Sequence, residues 1–90
     1  MRRNQIIQSD FYKQPDWKDW YFVPWAGWFY NLIIVNNDEQ KAEMLRRRKE
    51  VWDFMIEQTE ARYYVNRGSF PGFHFESPRD AALYKLKFYL

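Results

Sequence analysis

The longest apolar stretch of the chain, WYFVPWAGWFYNLIIV over residues 20–35, is broken only in its middle, where Pro24, Ala26 and Gly27 fall within four residues. Two β-branched and aromatic runs separated by such a breaker predict a β-hairpin with a four-residue loop. In the second run, 28–35, alternation of side chains puts Trp28, Tyr30, Leu32 and Ile34 on one face and Phe29, Asn31, Ile33 and Val35 on the other. Both faces are apolar. A chain of 90 residues cannot cover both with full helical layers, so part of one aromatic face is expected to look outward.

The pattern then changes period. Asn36, Asn37 and Asp38 offer N-caps, with Glu39 and Gln40 three residues after the first two, in capping-box positions. Leu45, Trp52, Met55, Ile56, Thr59 and Tyr63 recur at helical spacing and predict a long helix from about 40 to 62. Its outer surface pairs Glu43 with Arg47, Arg46 with Glu50 and Lys49 with Asp53 at i, i+4, which reads as a solvated face. The basic run Arg46, Arg47, Arg48, Lys49 spans most of the circumference at about 100° per residue, so Arg48 approaches the apolar stripe. There it stacks on an aromatic of the hairpin, or joins Arg46 and Arg47 in a phosphate-binding patch.

Residues 63–65 add a short extended segment before the turn NRGSFPG, where Gly68, Pro71 and Gly72 end the helical regime. Phe73 and Phe75 lie on one face of a strand at 73–76, with His74 and Glu76 on the other. Ser77 then caps a final helix with Pro78 at its first position and Asp80 completing an S-x-x-D box, and Ala82, Leu83, Leu86 and Leu90 form its apolar side. The predicted order is β-β-α-β-α. This is an α+β fold: a small mixed sheet, with a long central helix and a short C-terminal helix on one face, and with 28–35 parallel to 72–76 through a right-handed crossover. Residues 1–19, with Pro15, a polar run at 14–19 and single aromatics at Phe11, Tyr12 and Trp17, read as an irregular arm on a single compact domain of 20–90. Ile6 and Ile7 extend it as a short strand or turn.

Composition narrows the functional classes. Aromatics make up 22% of the chain, too many for a disordered segment and more than one small core hides; ten of the twenty precede Asn36. Fourteen basic and twelve acidic residues leave a net charge of +2, too balanced for a phosphate-led partner to follow from charge alone. The excess positive charge sits in 67–90, with four basic and two acidic groups. There is no cysteine, which removes disulfides and thiolate chemistry, and no apolar run of membrane-spanning length. A cytoplasmic protein without a membrane partner is expected.

Catalytic constellations are missing from the pattern. His74 is the only histidine, and three glycines form no phosphate loop. Glu50, Asp53, Glu57 and Glu60 make a carboxylate ridge along the helix, but without further ligands it reads as solvated surface. The chain is expected to be non-enzymatic, with no metal and no cofactor.

Gly72, Phe73, Phe75, Asp80 and Ala81 within GFHFESPRDAALYKL resemble the third strand and second helix of the RNA-recognition motif, over about fifteen residues. In that family the aromatics of this strand stack on bases, so the resemblance implies a single-stranded nucleic-acid binder using Arg67, Phe73, Phe75, Arg79 and Lys85. The chain departs from the family in its leading hairpin and in lacking a clear final strand. The same C-terminal pattern is similar to that of small uncharacterised proteins encoded by tailed bacteriophages, which implies an accessory protein, in the host cytoplasm, that binds a host or phage protein. From the residues themselves, the preferred expectation is a protein-interaction module. Its aromatic anchors would be Trp20, Trp25, Trp28 and Tyr30, binding a partner protein or a second copy in a homodimer.

Overall fold

The computed structural model describes residues 4–25 and 37–88; the expected strand at 28–35, and with it Trp28 and Tyr30, lies outside the described residues, as does Leu90. Along the chain run β1 (Gln5–Ile6), α1 (Gln8–Lys13), a 3-10 turn (Trp17–Asp19), β2 (Tyr21–Pro24), α2 (Asp38–Glu57), β3 (Tyr63–Asn66), β4 (Gly72–Phe75) and α3 (Pro78–Phe88). The fold is α+β, a mixed four-stranded sheet in the order β1-β3-β4-β2 with a long central and a short C-terminal helix. β1 runs parallel to β3, and β3-β4 and β4-β2 are antiparallel.

Period-two alternation sorts the strands into two faces. Val23, Tyr63, Val65, Phe73 and Phe75 point toward α2 and α3 and join Val51, Phe54, Met55, Ala81 and Tyr84 in the main core. Tyr84 is its hub, with ring centroids 5.3 Å from Phe73 and 5.7 Å from Phe75. On the opposite face Phe11 of α1 stacks on Tyr64 at 4.4 Å, and Trp20, Trp17 and Ile6 close around them. Residues 4–19 therefore do more than the irregular arm suggested by their polar, Pro-containing sequence. They supply an edge strand and cover the second face of the sheet, because one buried aromatic, Phe11, carries the docking of a six-residue helix.

Local signals fix both α2 and α3 at their starts. Asn37 caps α2, its side chain accepting from the Gln40 N–H at 2.8 Å. Ser77 Oγ accepts from the Asp80 N–H at 3.4 Å at the start of α3, with Pro78 next in line. The end of α2 differs from the expected 62, and the reason is tertiary. The Asp80 carboxylate is fully buried and accepts from the Glu60 and Ala61 N–H groups at 3.1 Å, taking from the helix two donors that would have continued it. Thr59 Oγ1 donates back to the Met55 carbonyl at 2.7 Å, and Asn4 Nδ2 donates to the Thr59 carbonyl at 3.0 Å. The chain freed by this early stop becomes β3, an inner strand of the sheet.

The buried stripe of α2 is Met44, Val51, Phe54 and Met55; Met55 is shared with the expected stripe, and the rest lies one residue out of phase with it. Leu45 and Ile56 are exposed, Trp52 is half-buried, and Thr59 and Tyr63 are buried beyond the helix. In α3 the inward side chains are likewise Ala81 and Tyr84, with Leu83 half-buried and Ala82 and Leu86 outside. A one-residue shift turns a helix by about 100°, and both phases of these sequences are apolar enough to serve.

Candidate protein-binding groove

β1 pairs with β3 only at Gln5–Tyr63 and Ile6–Tyr64, after which α1 turns away. β3 continues as Val65 and Asn66, paired with β4 on one side and, among the described residues, with no strand on the other. At that open edge lies a groove of about 700 Å³, bounded by residues 5–8 and Tyr12 on one side and by 64–70 on the other. Its rim carries three of the exposed large apolar side chains: Ile7 at 52%, Tyr12 at 45% and Phe70 at 79% exposure. Isolated surface hydrophobics are ordinary; three around one concavity mark a surface suited to a partner.

The 66–70 loop is shaped by its own side chains. Asn66 Oδ1 accepts from the Gly68 N–H at 2.9 Å, a side-chain turn that bends the chain directly after β3. Arg67 lines the groove, and its guanidinium lies 5.8 Å from the Trp25 ring centroid and 5.9 Å from that of Trp52. Two aromatic faces thus hold one cation in place without cancelling its charge.

Adjacent to the groove, on the α1 face, His74 sits among Phe22, Phe11 and Tyr64 at 4.7, 4.9 and 5.7 Å between ring centroids. Asn66 Nδ2 is 3.3 Å from its Nε2. Burial among these rings pushes the imidazole pKa below its usual value. Burial likewise raises the Tyr64 phenol, with a smaller contribution from Tyr12. At the far end of the strands Arg62 and Glu76 form a bidentate pair, the Arg62 N–H adds a third bond to the same carboxylate at 3.2 Å, and the Glu76 N–H returns one to the Arg62 carbonyl at 3.0 Å. The side-chain hydrogen bonds hold the Glu76 carboxyl low and raise Arg62.

The residues singled out from sequence are dispersed. Trp20 and Trp25, expected as exposed anchors, are buried, Trp20 against Phe11 and Trp25 in the main core against Phe73. Phe73 and Phe75 are fully buried under α2 and α3, so they pack the core and present no face to a base. Arg67 follows β3, whereas Arg79 bonds the Gln58 carbonyl and Asp80 beside the chain that precedes β3, so the two cations lie at opposite ends of the strand. Lys85 is exposed on α3. Arg46 binds Glu43 and Glu50, Arg47 binds Glu43, Lys49 binds Asp53, and Arg48 is half-buried; the basic run is largely neutralised by its own helix. Among the described residues no group of three or more His, Asp or Glu is placed to hold a metal ion, and no helix is long and apolar enough to cross a membrane.

Of the groove residues only Arg67 was singled out from sequence, as a nucleic-acid candidate; the others come from β1, α1 and the 66–70 loop and are brought together by the parallel pairing of β1 with β3. One signal was present. Phe70 stands between Ser69 and Pro71 in a turn, where an aromatic has no strand or helix to pack it. Comparison with protein-family models, curated proteins and solved structures finds no match for this chain.

Proposed function

We propose that this chain is a small non-catalytic protein-binding module, and that its binding surface is the groove at the open edge of β3 rather than the tryptophan-rich hairpin. The observation that carries this reading is the group of exposed Ile7, Tyr12 and Phe70 around a concavity whose described walls carry no charge besides Arg67. Apolar and aromatic rims around a desolvated centre are how protein interfaces concentrate their affinity. The resemblance of the C-terminal third to tailed-bacteriophage proteins extends the proposal to a host or phage protein as the partner. A nucleic-acid role is disfavoured by the burial of Phe73 and Phe75 and by the separation of Arg67 from Arg79.

The test uses nuclease-treated lysate passed over immobilised wild-type protein and over an Ile7→Ser/Phe70→Ser double variant whose circular dichroism matches wild type. A protein retained at high salt by the first and lost from the second is the expected result. In parallel, a fluorescent single-stranded oligonucleotide is titrated at low and high salt. Tight binding that falls steeply with salt, or retention unchanged in the double variant, would overturn the proposal.

A further inference from the structure

Resting on that reading, we infer that the groove takes an extended peptide segment, which adds to the edge of β3 beyond Ile6 and places a carboxylate against Arg67.

The backbone supplies the first half of the argument. The Tyr63 N–H donates to the Asn4 carbonyl at 2.9 Å, so the main-chain groups of Tyr63 point toward β1. The Glu76 N–H donates to the Arg62 carbonyl, so Arg62, and by alternation Tyr64 and Asn66, direct theirs toward β4. Val65, two residues after Tyr63, therefore turns its carbonyl to the β1 side, where the ladder has already stopped at the Ile6–Tyr64 pair. An open strand edge with an acceptor facing a concavity is a template for one more strand, and β1 fixes the line on which that strand would lie. Ile7 and Phe70 both line the groove with exposed side chains, so an incoming extended segment meets apolar surface there.

Charge supplies the second half. Among the described residues, Arg67 is the one charged side chain lining the groove, and no carboxylate forms an ion pair with it. Its position over the Trp25 and Trp52 rings keeps the guanidinium at the end of the edge before any ligand arrives. A preplaced cation at the end of a strand edge selects an acidic side chain or a C-terminal carboxylate. A nucleic-acid strand would need a row of such cations, and the described residues of the groove offer one.

A display library of random linear octapeptides, panned against the immobilised full-length chain, provides the probe. Enriched peptides should carry apolar residues at alternate positions and an acidic residue or free carboxylate at one end. A synthetic peptide from that set should shift the amide resonances of Ile7, Val65, Arg67 and Phe70 and slow hydrogen exchange along the edge. Replacing its acidic residue by the amide, or blocking its C-terminus, should weaken binding about tenfold, a change that leaves the protein untouched. Arg67→Gln should give the same loss, with Arg67→Lys retaining part of the affinity.

The inference is overturned if no peptide is enriched, if the enriched set has no acidic preference, if the shifts map elsewhere, or if the bound peptide is helical. It is also overturned if the groove is occupied by a second copy, seen as a dimer that the Ile7→Ser/Phe70→Ser variant dissolves, or by the oligonucleotide. Partner capture lost in that double variant, together with failed peptide selection, would leave the protein-binding proposal standing and remove only the extended, acidic occupant.

Discussion

Asp80 combines three local and tertiary duties in one buried carboxylate: it stands three residues after the Ser77 cap, accepts the Glu60 and Ala61 N–H groups, and receives Arg79. Asp80→Asn keeps the volume but replaces one acceptor with a donor facing backbone N–H groups. It should cost about 2 kcal/mol in urea unfolding, more than the roughly 1 kcal/mol expected of Ser77→Ala. Gly72 is constrained differently. A Cβ there would lie 2.6 Å from the Val23 carbonyl and 2.6 Å from the Phe22 ring, so Gly72→Ala should destabilise by about 1–3 kcal/mol, and Phe22→Leu should relieve only part of the loss because the carbonyl cannot move aside. His74 sets a pH dependence. Its folded pKa lies below the ordinary 6.5, so the unfolded chain takes up the proton first. Its contribution is complete above about 6.5, declines as pH falls toward the folded value, and is then constant. Glu76 adds a second loss below its ordinary 4.5, where the carboxylate bound by Arg62 is protonated in the unfolded chain before the folded one. Urea midpoints measured from pH 8 to 3 should fall in two steps, the upper removed by His74→Phe and the lower reduced by Glu76→Gln, with Glu43, held low by Arg46 and Arg47, contributing to what remains.

At the level of elements, what could be read from sequence was what near neighbours decide. The Asn37 cap, the Ser77-Pro78 start and the i, i+4 pairs of α2 each depend on residues within one helical turn, and each is present. The end of α2 was not readable because its cause, Asp80, lies 20 residues from Glu60. The phase of α2 was not readable because Met44-Val51-Phe54 and Leu45-Trp52-Ile56 are both apolar stripes of the same period, and only the sheet decides between them. α1 was overlooked because six residues cannot form a stable helix alone; Phe11, fully buried against Tyr64, holds it. Phe11→Ala should therefore cost about 3–5 kcal/mol and act unevenly. Hydrogen exchange should accelerate first over residues 4–20 and the edge of β3, with the Phe54 and Tyr84 amides protected until global unfolding.

Across the whole molecule, the two faces of the sheet differ in how far their partners lie along the chain. β3, β4, α3 and the second half of α2 lie within residues 48–88 and assemble the main core almost by themselves, with Val23 of β2 and the adjoining Trp25 added. The groove belongs to the other regime: its walls are separated by more than fifty residues, from Ile6 to Val65, and apart from Arg67 and the unpacked Phe70 no local pattern in the sequence announces it. The pairing of Gln5 with Tyr63 has a further consequence, for synthesis. During translation the first strand leaves the ribosome long before its neighbour exists, so the N-terminal segment waits, unpaired and with Phe11 uncovered, until Tyr63 and Tyr64 emerge. Docking of the first strand therefore has to wait for residues made some sixty positions later, and the edge that bounds the groove is complete only once Gln5 and Ile6 meet Tyr63 and Tyr64.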